Sequence, residues 1–183
     1  MYEHELPTLS QIDNWDVRHL VDAAEHWTRT ADLWEETFHS AWQSTLHPGG
    51  TEWGGEAADN AQDLTWRDLV RVRGSAESLR TVARIAHTGA ESLCDVKRLA
   101  LNAIDDARSH GFVVDEDLSV SAPPDRTDGH PLMMLQTAAD EDAADIKHFA
   151  ANLVALDHDI ARRLHNAAIG ISEGIPYLAR GCA

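Results

Sequence analysis

Pro48-Gly-Gly-Thr-Glu-Trp53-Gly-Gly-Glu-Ala-Ala58 interrupts two long stretches of helical pattern, and its reading decides the fold. Proline lacks the amide hydrogen that a helix interior needs, and glycine readily takes positive φ. Pro48, Gly49 and Gly50 therefore end one helix. Glu52 and Glu56 stand near the start of the next, where the helix dipole favours negative charge. Such a turn makes a helical hairpin with Trp53, Gly54 and Gly55 at its tip. Trp53 either staples the hairpin or is also read by a partner. A Trp-x-Gly sequence at such a tip suggests a protein recognised by its shape, not one doing chemistry.

Working outward, the stretch before the turn opens near Ile12 to Trp15, with Asp13 or Asn14 as cap, and runs to about His47. Leu20, Ala24, Trp27, Ala31, Trp34, Phe38 and Ala41 recur at steps of four and three, a coiled-coil-like seam. Trp15, Trp27, Trp34 and Trp42 read as wedges opposite small alanines. The stretch after the turn runs from Glu56–Ala58 to about His110, on a seam through Val72, Leu79, Val82, Ala86, Gly89, Leu93, Val96, Ala100, Ala103 and Ala107. A helix of that extent is roughly 80 Å long. Gly74 and Gly89 each cost it about 1 kcal/mol against alanine, and each is a place for a bend or the close approach of a neighbour.

Gly111 caps this second helix, and Phe112 to Val120 is extended and carries Asp115, Glu116 and Asp117. Residues 121–131 have linker composition. A third helix opens after Pro131 and runs to about Ile171, with Ile146, Phe149, Leu153, Leu156, Ile160, Leu164, Ala167 and Ile171 as its stripe and a loose tail beyond. The expected fold is all-α: an elongated antiparallel helical bundle with room for a short fourth helix. Its parts are a hairpin module over 1–120, a linker over 121–131, and a third helix with tail over 132–183 packed on the hairpin as one domain.

The totals agree. In 183 residues, 43% are hydrophobic, enough for a core, yet aromatic and β-branched side chains are few and alanine abundant, which favours helix packing over sheet. The net charge of −16 argues against nucleic-acid and anionic-membrane binding, which need basic surface. It suits a solvated acidic surface or a cationic partner. Cys94 and Cys182 cannot form a dense disulfide framework, and Cys94 reads as a small packing residue. No membrane span and no cleaved signal peptide is legible, so export would need a route that does not read one.

Catalytic patterns are poor. A carboxylate-bridged di-metal bundle needs two Glu-x-x-His pairs, and Glu36-Thr-Phe-His39 is the only one. Asp16–His19 and Asp145–His148 share the spacing, but Asp is shorter and both pairs lie mainly off the seam. Gly170-Ile-Ser172-Glu-Gly174 matches a hydrolase elbow in letters, yet a helix precedes it and no His follows. Gly49-Gly50 and Gly54-Gly55 have no Lys-Ser/Thr to hold phosphate, and Glu52 and Glu56 would repel it. The expectation is no enzyme, no metal and no cofactor.

The Trp-rich first helix, the turn over 48–58 and the long heptad helix resemble the Trp-x-Gly (WXG) proteins of actinobacterial type VII (ESX) secretion. The likeness extends over roughly residues 10 to 172. It is nearest to the helical N-terminal domains of larger mycobacterial ESX-secreted substrates, through Ala103–Val120 and Ile160–Ala168. The resemblance implies a secretion substrate or adaptor, exported folded, often paired with a helical partner, with Trp53 and Gly55 as the turn element. It also implies a Tyr-x-x-x-Asp/Glu signal, and here the chain departs: Tyr2 and Tyr177 lack the acid. The substitutes are His87-Thr-Gly-Ala-Glu91, which folding back the hairpin brings to the start of the first helix, and Phe112-Val-Val-Asp-Glu116, which keeps an aromatic after a helix end. The chain resembles a front-end module, ending at Arg180-Gly-Cys-Ala183 in place of cargo. Two functions are expected: secretion substrate or adaptor, meeting the secretion machinery or a chaperone and ending secreted or at the cell envelope, or a self-assembling structural scaffold.

Overall fold

In the computed structural model, the structure describes residues 6–123 and 132–174. Most of the linker, the tail beyond Gly174 with Tyr177 and Cys182, Tyr2, and the side chain of Ser172 lie outside the described residues. Among the described residues the fold is all-α apart from one minimal hairpin. In order come α1 (Leu9–Asp13), α2 (Arg18–Leu46), a 3-10 turn (Pro48–Gly50), α3 (Glu56–Ser109), β1 (Val113–Val114), β2 (Val120–Ser121) and α4 (Leu132–Gly174). Two compact units are formed, one from Met1–Arg18 with Gly89–Ala161 and the other from His19–Thr88 with Arg162–Ala183. Both α3 and α4 contribute to each.

In the unit built on His19–Thr88, α2 and the first part of α3 are antiparallel: α2 residues 32, 42 and 45 meet α3 residues 80, 66 and 62. Leu20, Ala24, Ala31, Ala76, Leu79, Val82, Ala83 and Ala86 are buried there. Trp27, Trp34 and Ile171 of α4 pack around Ala31, Ala76 and Leu79, so these two indoles fill space beside small alanines, whereas Trp42 lies against Trp66.

In the other unit, the second part of α3 is antiparallel to α4, with His110 beside Asp142 and Gly89 beside Ile160. Leu93, Ala100, Ile104 and Ala107 of α3 are buried, as are Ile146, Ala150, Leu153 and Ile160 of α4. Gly89 is the close approach that a glycine permits: a Cβ there would lie 2.9 Å from Ile160 Cγ2. Gly74 has nothing within 4 Å of the same position, so its glycine serves no packing need. Neither glycine interrupts α3.

Three expectations are corrected. Phe38 and Ala41, expected in the seam of the first helix, are exposed, because the cover of α2 stops short of the turn. The first helix does not open at Ile12 to Trp15; α1 and α2 are separate. Thr8 and Gln11 form a capping box, the Gln11 amide donating to Thr8 Oγ1 (3.2 Å) and the Thr8 amide to Gln11 Oε1 (2.9 Å). Asp16 then accepts the amide of Arg18 at 2.9 Å to begin α2. Cys94 is exposed rather than packed, because it lies one residue past Leu93 and so about 100° round the helix from the seam.

The end of α3 is a Schellman closure. The Gly111 amide donates to Arg108 O (2.9 Å) and the Phe112 amide to Ala107 O (3.1 Å), with Gly111 at φ +82°. β1 and β2 follow as an antiparallel pair, Val114 opposite Val120. The five residues between them put Leu118 at φ +64° with its side chain fully buried. A left-handed leucine costs about 1–2 kcal/mol, and burial of its side chain returns about 1.5–3 kcal/mol, so burial carries the turn.

This hairpin holds α1. Glu116 O accepts the Leu9 amide at 3.0 Å, and its carboxylate accepts the Ser10 amide at 3.1 Å and hydroxyl at 2.6 Å. Lys97 Nζ donates to Asp13 O (2.6 Å) and Trp15 O (3.1 Å), closing the other end over the buried Ile12. The Ser10 hydroxyl and amide, with Thr8, hold Glu116 below its ordinary value of 4.5.

Gly74→Ala is expected to raise stability by about 0.5–1 kcal/mol, the gain in helix propensity. Gly89→Ala should lower it by about 1 kcal/mol, because overpacking against Ile160 exceeds that gain. Urea denaturation followed by circular dichroism distinguishes the two signs. For the clasp, the depressed Glu116 means its contribution is complete above pH 4.5 and lost as pH falls through the lowered value. Glu116→Gln at neutral pH should therefore speed hydrogen exchange at the Leu9 and Ser10 amides without speeding it at Leu153. Acidification of the wild type should reproduce that local opening; unchanged exchange at Leu9 and Ser10 in the variant would remove Glu116 from this role.

Candidate recognition surface

The chain reverses between α2 and α3 through its glycines. Gly49 (φ +65°) and Gly50 (φ +79°) follow Pro48, and the Gly50 amide donates to His47 O at 3.0 Å. Thr51 Oγ1 donates back to Pro48 O at 2.9 Å. Gly55, at φ +100°, puts its carbonyl in line to accept the Asp59 amide (3.0 Å), the first bond of α3. Any other residue there would be strained. Glu56 and Asp59 occupy the first turn, where the dipole favours them. Trp53, on the connector, is 39% exposed, and Gly54 and Gly55 are exposed beside it.

Below the turn the helices are joined by polar contacts. Gln62 Nε2 donates to Thr45 O at 3.1 Å, satisfying a carbonyl in the last turn of α2, and the Thr45 and Thr65 hydroxyls lie 3.3 Å apart. Next come aromatic rings: Trp42 and Trp66 have centroids 5.1 Å apart at 54°, and His39 lies 5.8 Å from Trp42. His39 Nδ1 is buried without a hydrogen-bond partner among the described residues. Further along, Arg80 bridges Asp32 (2.8 Å) and Glu35, and Arg73 lies 3.6 Å from Glu35. Hydrogen bonds from Arg80 to Asp32 and Glu35 raise the guanidinium above its ordinary value. These half-exposed pairs add little stability; they fix which residues face each other.

The sequence candidates fall in different settings. His87 and Glu91 are exposed on α3 one turn apart, and His87 lines a groove with Ala24 and Thr28, near the start of α2 as the hairpin geometry requires. Along α3, His87 is about 45 Å from the turn, so it does not adjoin Trp53. Phe112 is buried as the residue closing the Schellman end, and Glu116 is engaged with Ser10. Trp66 escaped the sequence reading. It stands off the seam through Val72 and Leu79, and only the structure shows that it and Val70, one turn on, are left uncovered.

Glu36 and His39 line one shallow groove with Asp32, Glu35, Arg73 and Arg80. Among the described residues, no group of three or more His, Cys, Asp and Glu side chains is placed to hold a metal ion. No described helix is long and apolar enough to cross a membrane.

No protein-family model matches the chain, and no solved structure matches it. It is 35% identical over 159 residues to the uncharacterized protein Rv2077c of Mycobacterium tuberculosis, and equally to the uncharacterized protein Mb2102c of Mycobacterium bovis. In both comparisons 87% of this chain aligns with 48% of the relative. The chain thus spans about half the length of the mycobacterial relatives it matches.

Proposed function

We propose that this chain is a non-enzymatic substrate or adaptor domain of type VII (ESX) secretion, acting by helix–helix protein recognition. The observation that carries the reading is the turn: Trp53 stands exposed between two long antiparallel helices, followed by Gly55 at a φ of +100° that begins α3. This is the arrangement expected of a Trp-x-Gly hairpin tip, and similarity to mycobacterial proteins fits it. In this reading the protein is cytoplasmic before export and then secreted or associated with the envelope, without a cleaved leader. Of the two substitute signals, accessibility favours His87 and Glu91, which are exposed, over Phe112, which is buried.

A second reading, a self-assembling scaffold, draws on the exposed Leu33, Leu64, Trp66 and Val70. Secretion of the tagged chain from an actinobacterial host, with and without a working type VII system, separates the two. Dependence of extracellular protein on that system supports the substrate reading. Retention in both strains, with a concentration-dependent oligomer in solution, supports the scaffold. Trp53→Ala is a surface change expected to shift stability by no more than about 0.5 kcal/mol, yet to reduce export. Export of the variant at the wild-type level would count against Trp53 as a recognition element.

A further inference from the structure

Between residues 33 and 73, α2 and α3 expose more large apolar side chains than they bury. Ala58 and Leu69 are the buried residues of this stretch, whereas Trp66 is 42% and Val70 50% exposed. Trp66 and Val70 are one turn apart on α3, and the Trp42–Trp66 contact joins them to His39 and Trp42 on α2. The result is a strip of three aromatic rings and a valine, with the unpartnered His39 Nδ1 in it.

The net charge around the strip is negative. Residues 33–73 contain seven carboxylates and three arginines. Each arginine is already paired: Arg67 with Asp63 (2.6 Å), Arg71 with Asp68 (3.3 Å) and Arg73 with Glu35 (3.6 Å). No ion pair among the described residues involves Glu36, Glu52, Glu56 or Asp59. Indole faces attract cations, and nearby carboxylates strengthen that preference. A second copy of this chain would bring the same acidic residues against themselves, which costs binding energy.

We propose that the His39–Trp42–Trp66–Val70 strip docks an amphipathic helix of another protein whose apolar stripe is flanked by Lys or Arg. The apolar stripe covers the indoles and Val70, and the flanking cations meet Glu36 and Asp59. The proposal rests on the reading that this chain works by helix–helix recognition, and it names the chemistry of the partner.

The test uses the full chain and two labelled synthetic helical peptides with the same leucine stripe, one flanked by Lys and Arg and the other by Glu. Fluorescence anisotropy should show the basic peptide binding at least about tenfold tighter, with affinity falling as salt rises. Trp66→Ala and Val70→Glu should each weaken it by about tenfold or more. Leu64→Ala, about 160° round α3 from Trp66, should not. Circular dichroism checks that the variants fold, and the exposed Val70→Glu keeps the test decisive if Trp66→Ala does not. Equal binding by wild type and Val70→Glu would mean diffuse attraction to acidic surface and overturn the proposal. So would no binding, or a dimer of the chain that Val70→Glu dissociates. Because binding is measured with purified protein, failure here with type VII-dependent export intact overturns the strip alone, and the converse overturns only the export reading.

Discussion

The structure depends on one constraint: α3 is a single helix of 54 residues whose apolar seam has to be covered along its length. In the unit with His19–Thr88 that cover is α2, reinforced by Ile171; in the unit with Gly89–Ala161 it is α4. The seam alternates small buried residues (Ala76, Ala83, Ala86, Ala90, Ala100 and Ala107) with larger ones such as Leu69, Leu93 and Ile104, and neighbouring helices approach closely at the small positions. Large side chains fill the space beside these small positions. Trp27 and Trp34 do so beside Ala31 and Ala76, and Ile160 does so over Gly89.

Polar contacts in this fold select partners more than they stabilise. Arg80 with Asp32 and Glu35, Gln62 with Thr45, and His110 with Asp142 each join residues far apart in sequence at one helical register. Most of these groups are partly solvated, where an ion pair contributes about 0–1 kcal/mol. Where the seam is alanine-rich it is permissive about sliding, since neighbouring alanines offer nearly identical surfaces. Fixed polar pairs remove that freedom.

The long helices were legible because their seams repeat at the helical period over many turns. Val82, Ala86, Leu93, Ala100 and Ala107 are buried as that period requires, and Glu56–Ser109 agrees with the expected span. The glycines of the turn were legible for a different reason, since Gly49, Gly50 and Gly55 take φ values few other residues tolerate. α1 was missed because five residues are too few to show a period, and only the Thr8–Gln11 box marks it. The β1–β2 turn was hidden because its left-handed residue is Leu118, held by burial and not by local preference. Phe112 looked like a docking aromatic; its place after Gly111 makes it the apolar closure of α3 instead. Trp66 was hidden because its exposure depends on what does not cover it, which no local pattern encodes.

The acidic excess and the exposed rings have a common physical reading. A chain that displays Trp66, Val70, Leu64 and Leu33 would ordinarily be prone to self-association. A net charge of −16 opposes that association between copies while leaving attraction to a basic partner intact. The charge thus acts as a filter on the apolar surface: contact area supplies affinity, and the sign of the surrounding charge determines which surfaces come close enough to use it. On the proposed function, a chain of this design would meet a surface of opposite sign in preference to a second copy of itself. Recognition would then be determined as much by the carboxylates left without cations in the hairpin as by the indoles they surround.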